Sequence, residues 1–482
     1  MSHKAELWIN GKWVEGERQT ELRNPYNGEV LATIGYASPK QAVMAIEAAA
    51  EAFQSFRQMP AHKRSSILYQ AADLLERRTA EAARIVSLEA AKPIQAARAE
   101  IARTVQTYLF AAEAARSIRG ETVPMDAAPR GEGRMAFMTR EPVGVVTAIT
   151  PFNFPFNLAA HKVGPAIAAG NTIVLKPAEQ TPLSALFLAE LFEEAGLPDG
   201  VLNIIPGEGK ELGETLATHP DVAFVTFTGS PAVGRQIRSI AGFRKVTLEL
   251  GGNAPLLIDR GFTETELEQI ADEAATGAFA YNGQVCISVQ RILVHEQHAE
   301  AFAGMLAERA AALQAGDPLD EQTAITPLIN QSAADRLKGW LQTAVSRGAE
   351  LLCGGEFDGS LMTPAVLRGV PEDAELSCEE AFGPVVLVSS FADWQTAIQQ
   401  ANRSKYGLQA GVFTKDVEKA FAAARELQAG GVMINDIPTF RLDHMPYGGL
   451  KDSGSGREGV RYAVEDMTEP KLISFRSGLY RS

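Results

Sequence analysis

The chain has 482 residues, 46% hydrophobic and 22% charged. That ordinary globular mixture excludes a disordered, collagenous or fibrous protein and leaves room for about three structural units around a large core. Its net charge of −14 argues against nucleic acid and against an anionic membrane surface as partners, since both need a basic face.

No apolar run reaches the ~18 residues of a membrane-spanning helix. The first residues lack the apolar stretch of a signal peptide, so no export is expected. Cys286, Cys353 and Cys378 form neither a CxxC nor a metal-ligand cluster. Free thiols in a reducing, cytoplasmic compartment and no metal are therefore expected.

In chain order, Leu7–Val14 reads as two short strands turning at Asn10-Gly11, a hairpin dipeptide. Ile67, Leu68, Ala71, Ala72, Leu74 and Leu75 recur at helical period. Ile94–Ile118, Ala-rich and proline-free, reads as one long helix. Arg119–Thr139, rich in Gly, Pro and polar residues, interrupts the pattern.

From about residue 140, apolar strands at Val143–Ile149, Asn171–Lys176, Val201–Ile205, Ala223–Thr228 and Val246–Leu250 alternate with helices. Those helices are Leu158–Ala169, Leu183–Ala195, Glu211–Ala217 and Pro231–Ile240. Short apolar strands alternating with helices require a parallel sheet covered on both faces.

The style then repeats. Phe302, Met305, Leu306, Ala310 and Leu313 give a helical stripe, and Val385–Val388, Gly411–Thr414 and Val432–Asn435 read as strands. The fold class is α/β, with two domains meeting near Gly251-Gly252. The tail Glu469–Ser482 alternates like a strand.

Several residues could carry chemistry. A lone cysteine is ordinarily a small buried hydrophobe. Cys286, after a helix and the Gly-containing turn Asn282-Gly283-Gln284-Val285, is alternatively an accessible nucleophile. Glu249, in an apolar strand ending at Gly251-Gly252, is either a strand-end salt bridge or a buried carboxyl whose raised pKa suits a general base. Asn153, in Pro151-Phe152-Asn153-Phe154-Pro155, is either a turn asparagine or an amide donor to a developing oxyanion.

Lys176 and Glu179 follow a strand at the edge where open α/β sheets bind ligands. There Lys can meet a phosphate or a ribose hydroxyl, and Glu can accept from a ribose diol. Gly229-Ser230 precedes a helix and would offer free N–H groups to a pyrophosphate. Neither GxGxxG nor GxxxxGK[ST] occurs. His295-Glu296-Gln297-His298 is not HExxH and reads as structural, and Gly454-Ser455-Gly456 reads as a flexible turn.

Seven segments occur in a fixed order: PFNFP at 151–155, KPAE at 176–179, FTGS at 227–230, LELGG at 248–252, GQVC at 283–286, EEAFGPV at 379–385 and PYGGLKDSGSGRE at 446–458. Together they resemble the aldehyde dehydrogenase superfamily over nearly the whole chain. The resemblance makes Cys286 the nucleophile that forms a thiohemiacetal. It makes Asn153 and the Cys286 N–H the oxyanion hole, and Glu249 the base for hydrolytic water.

It also puts Lys176 and Glu179 near the adenosine ribose, Gly229 and Ser230 at the pyrophosphate, Glu380 at the nicotinamide ribose and Phe382 against the nicotinamide ring. It implies a Rossmann-like NAD-binding domain at 1–119 and 141–251 and an α/β catalytic domain at 252–463. A small β oligomerisation flap, at 120–140 and 464–482, would make a homodimer or homotetramer. NAD is the expected cofactor, with NADP as the second choice.

Glu249 favours hydrolysis, because coenzyme A-acylating relatives generally lack a glutamate there. A non-catalytic protein of the same fold would not need the intact Cys286, Glu249 and Asn153 set.

The wording around Cys286 and at 435–441 resembles relatives that oxidise lactaldehyde, phosphonoacetaldehyde, sulfolactaldehyde or glyceraldehyde 3-phosphate. Val285 stands where some phosphate-aldehyde enzymes have Arg, and Phe154 where some anion-binding relatives have a polar residue. Both departures weaken the case for a phosphorylated substrate. Arg103, in the long helix that lines the tunnel of this fold, and Arg441 are either a cationic wall for an anionic tail or ordinary ion pairs.

Overall fold

Five apolar strands form the middle of the first sheet in a computed structural model that describes residues 3–476. In spatial order they are Lys245–Glu249, Val222–Thr228, Val145–Ile149, Thr172–Lys176 and Leu202–Ile204, all parallel. They read as continuous hydrophobic runs because helices cover both faces. The chain lays down Val145–Ile149 first, adds two strands on one side, and then crosses to the other. That reversal is a switch point, and open α/β sheets bind ligands beyond the carboxyl ends of strands at such a point.

Antiparallel pieces finish both edges. Leu7–Ile9 and Lys12–Val14 form the expected hairpin, turning at Asn10 and Gly11 with φ of 51° and 70°. At the other edge Gly454–Ser455 pairs with Leu248 and Glu249. The segment read as a flexible turn is therefore an edge strand. The close approach needs glycine, since a Cβ on Gly454 would lie 2.0 Å from the Leu248 carbonyl oxygen.

The second sheet has seven strands in the order Glu350–Cys353, Ala365–Arg368, Val385–Phe391, Val289–His295, Ala254–Ile258, Gln409–Phe413 and Gly431–Ile434. All are parallel except the first. A third, antiparallel sheet joins Glu121–Val123, Arg134–Pro142 and Thr468–Arg476. The tail therefore forms a strand as far as Arg476, and residues 477–482 lie outside the described residues.

The long helix runs Ile94–Ala115 and stops short of Ile118. The N–H groups of Arg116 and Ser117 turn back to the carbonyls of Glu113 and Ala114, tightening and ending the last turn.

One buried ion pair links this helix to the switch point. Lys92 Nζ lies 2.6 Å from Glu100 and donates to the Asn153 carbonyl at 2.8 Å. Glu100 accepts the N–H groups of Phe156 and Asn157 at 2.9 and 3.2 Å. The pair thus holds the turn that follows strand Val145–Ile149. Removing one member of a buried pair strands the other charge and costs roughly 3–5 kcal/mol. Lys92→Met is expected to lower thermal stability accordingly. A calorimetric midpoint equal to that of the unmodified protein would show that the pair is dispensable.

Candidate active site

Cys286 follows a strained turn. Tyr281, Asn282 and Gly283 have φ of 48°, 56° and 67°, and the left-handed region costs a non-glycine residue about 1–2 kcal/mol. Buried bonds hold the turn in place. The Tyr281 hydroxyl donates to the Ala90 carbonyl at 2.7 Å. Asn282 accepts the Thr326 N–H at 2.9 Å and donates to the Thr326 hydroxyl at 3.0 Å. Gln284 Oε1 accepts the Ile329 N–H at 3.1 Å.

The Gly pair after Glu249 lets this turn meet the first sheet. A Cβ on Gly252 would lie 2.0 Å from the Cys286 carbonyl oxygen, and one on Gly251 would lie 2.5 Å from Glu380 Oε2.

Around the thiol the charges are dense. Cys286 Sγ is 3.0 Å from the Tyr447 hydroxyl, and the Arg441 guanidinium lies 3.6 Å from the centroid of the Tyr447 ring. Arg441 pairs with Glu458 at 3.1 Å. Lys162 donates to Glu458 and to the Thr228 hydroxyl, both at 2.7 Å. Glu249 is buried, and neither carboxyl oxygen has a hydrogen-bond partner.

The titration behaviour follows from this arrangement. Burial pushes the Cys286 thiol up to about 11, against the Tyr447 hydrogen bond and the Arg441 cation. Burial and the Glu458 carboxylate push Glu249 well above the usual carboxylate range, against Arg441 and Lys162. Burial opposes ionisation of Glu458 too, but Lys162 and Arg441 hold it below that range.

Asn153 reaches the cysteine turn. Its Nδ2 donates to the Gln284 carbonyl at 2.9 Å, and an amide NH₂ carries a second N–H. Cys286, Glu249 and Asn153, far apart in the chain, thus come together at the switch point.

The cofactor candidates line the carboxyl edge of the first sheet. Lys176 donates to Glu179 at 2.8 Å, and Glu179 also accepts the Gly209 N–H at 2.8 Å. Burial opposes ionisation of Glu179, yet Lys176 keeps it below the usual range. Ser230 caps helix Pro231–Ile240 through the Val233 N–H. The Gly229 N–H is not free as expected, because it donates to the Glu249 carbonyl at 3.0 Å. This bond carries the sheet register one residue beyond the strand end.

Glu380 accepts the Gly252 N–H at 2.8 Å, and burial raises its carboxyl to about 7. Phe382 packs edge-on against Phe152, with φ of 45°. A helix N-terminus, a Lys–Glu pair and a buried, sparsely bonded carboxyl along one crevice fit a dinucleotide.

Arg103 and Arg441 prove to be ion-paired. Arg103 binds Asp443 at 2.7 Å, is one-third exposed, and sits beside the Phe154 ring. Asp443 also holds His161 at 2.9 Å and Asn157 at 3.0 Å. Arg441 is buried, and its Nε has no hydrogen-bond partner. His295 ends a strand and His298 precedes helix Ala299–Ala311. Among the described residues no cluster is placed to hold a metal, and no helix is long and apolar enough to cross a membrane.

Several residues at the site were not singled out from sequence. Tyr447 and Glu458 lie inside the 446–458 segment already quoted. Lys162 had a signal of its own, as the one Lys in helix Asn157–Ala169, which is buried at every position. Gln290 had none. Its amide holds the segment bearing Glu380 through Leu376, Glu379 and Ala381 at 2.8–3.0 Å.

A switch-point crevice closed by a thiol-bearing turn from a second parallel sheet defines a two-sheet α/β enzyme. The pattern of the Aldehyde dehydrogenase family matches residues 13–473, and the chain belongs to that family. It is an enzyme of aldehyde oxidation.

The chain is 45% identical over 467 residues to the 3-sulfolactaldehyde dehydrogenase of Priestia aryabhattai, covering 97% of each. Its fold superimposes with a TM-score of 0.96 on aldehyde dehydrogenase 21 of Physcomitrella patens in complex with the reaction product succinate, at 38% identity and 100% coverage of both chains. Against the glyceraldehyde-3-phosphate dehydrogenase of Methanocaldococcus jannaschii complexed with NADP, the TM-score is 0.91 at 39% identity, covering 96% of this chain and 100% of that one.

Proposed function

We propose that this protein is an NAD(P)-dependent aldehyde dehydrogenase that converts a short aldehyde to its carboxylic acid through a thiohemiacetal and a thioester on Cys286. The observation that carries this reading is the meeting of the Cys286 thiol, the unpartnered Glu249 carboxyl and the Asn153 amide at one switch point.

Cys286 attacks the carbonyl. The second N–H of Asn153 and the Cys286 N–H take the oxyanion. Lys176, Glu179, Gly229, Ser230, Glu380 and Phe382 would hold NAD(P), which would supply the hydride acceptor. Glu249 then deprotonates the water that hydrolyses the thioester, a task that suits a carboxyl with a raised pKa.

In this reading residues 1–119 and 141–251 bind the cofactor, and 252–463 complete the catalytic unit. Segments 120–140 and 464–482 join copies into a homodimer or homotetramer, supported by the exposed Met135, Leu472 and Phe475 of the third sheet. Three unpaired cysteines support a cytoplasmic setting.

The substrate is a short aldehyde with an anionic tail. In support, Arg441 carries an unpartnered Nε and stands over the ring of Tyr447, whose hydroxyl meets the Cys286 sulfur, and Arg103 sits beside the Phe154 ring, next to Asn153. Relatives act on sulfolactaldehyde and glyceraldehyde 3-phosphate, and one neighbour binds succinate. A guanidinium can bind two oxygens of such a group at once. A neutral, lactaldehyde-like substrate is the competing case, because both arginines already hold carboxylates.

Four measurements test the reading. Cys286→Ala should abolish oxidation, while Glu249→Gln should give a rapid burst of NADH of about one per site and then slow turnover. A folded Cys286→Ala protein that still turns over would refute the nucleophile, and equal loss of both Glu249→Gln phases would refute the base.

NAD should be preferred over NADP, because the ionised Glu179 accepts from a ribose hydroxyl but repels a 2′-phosphate. Comparison of kcat/KM for the two decides this. Arg103→Leu and Arg441→Leu should weaken kcat/KM for an anionic aldehyde by about 1–3 kcal/mol more than for a neutral one of equal length. Equal effects on both substrates would leave the neutral aldehyde as the substrate.

A further inference from the structure

Tyr447 does more than close the wall of the cleft. The one hydrogen-bond partner of its hydroxyl, among the described residues, is the Cys286 sulfur at 3.0 Å. The ring is buried. While the sulfur is a thiol, either atom can be the donor. Once it is a thiolate it can only accept, and the phenol O–H must donate.

The Arg441 guanidinium stands over the face of the same ring at 3.6 Å. A cation there polarises the phenol and strengthens its O–H as a donor. The other charged groups acting on the sulfur are the Glu249 and Glu380 carboxyls, which oppose its ionisation.

We propose that Tyr447 is a catalytic residue whose hydroxyl donates a hydrogen bond to the ionised Cys286 sulfur and so sets how much of the nucleophile is present at neutral pH. The inference rests on Cys286 being the nucleophile. Phenylalanine at this position would offer the thiolate no donor and, in its place, the edge of an aromatic ring.

The test uses the full chain without aldehyde or cofactor. Alkylation of Cys286 by iodoacetamide is followed from about pH 6 to pH 11, around the ordinary range of thiol ionisation. Peptide mass spectrometry resolves Cys286 from Cys353 and Cys378, which serve as internal references. Tyr447→Phe is expected to slow Cys286 alkylation roughly tenfold across the lower part of this range, the effect of raising its midpoint by about one unit. The two reference cysteines should stay unchanged.

Incorporation of 3-fluorotyrosine at 447 keeps the shape, makes the phenol more acidic, and is expected to move the midpoint down. The acid limb of kcat/KM should follow both shifts. Superimposable Cys286 profiles for the tyrosine and phenylalanine proteins overturn the proposal. If Tyr447→Phe does not fold, an unmoved midpoint in the fluorotyrosine protein overturns it instead. An active Cys286→Ala enzyme would defeat the function reading while leaving the alkylation shift measurable, so the two failures are distinct.

Discussion

Glu458 is the charge on which the cleft depends. It is buried, and it is shared by Lys162 from helix Asn157–Ala169 and Arg441 from the loop beyond the second sheet. Its backbone bridges Tyr447 in both directions. One side chain therefore ties the switch-point helix, the end of strand Val222–Thr228 through Thr228, and the loop that presents Tyr447 to the sulfur. Buried ions are tolerated only when paired and hydrogen-bonded. A cluster of two cations around one carboxylate meets that condition for Glu458 and leaves one positive charge in excess.

The geometry of the thiol rests on backbone that sequence composition rarely allows. Two left-handed non-glycine residues precede Cys286, and buried side-chain bonds to Ala90 and Thr326 offset their strain. The glycines at 251 and 252 are matched to this turn, since a Cβ at either would overlap Glu380 or the Cys286 carbonyl. Strain of this kind persists where the surroundings over-determine it. The Lys92–Glu100 pair does the same for the Asn153 turn from the opposite side.

Much of this was legible in the sequence, and the rest fails for identifiable reasons. The five parallel strands of the first sheet were found within one or two residues because burial on both faces writes itself as uninterrupted apolar runs, whereas Ala254–Ile258, Val289–His295 and Ala365–Arg368 of the second sheet were not named. Cys286, Glu249 and Asn153 stand out because each interrupts an apolar or glycine-rich context. Gly454–Ser455 was misread because two residues carry no period, and only their neighbour Leu248 shows why glycine is required. The ion network was invisible for a different reason. Lys162 and Glu458 are 296 residues apart and Arg103 and Asp443 are 340 apart, and nothing local encodes such pairings. The same blindness left Arg103 and Arg441 suspended between two readings; the fold gives each a carboxylate partner.

The excess positive charge at Glu458 bears on the order of events in the proposed mechanism. Arg441 favours ionisation of both Cys286 and Glu249, while each of these disfavours ionisation of the other. One negative charge, on either group, is therefore less costly in the cleft than two. Before acylation the thiolate can hold that charge, with the Glu249 carboxyl protonated and not repelling it. Formation of the thioester removes the sulfur's charge. The cations are then left without their second anion, which lowers the cost of ionising Glu249 at the stage when water must be deprotonated. In a low-dielectric cleft these mutual terms are large. The same few residues can in this way favour a nucleophile first and a base second, with no rearrangement of the chain.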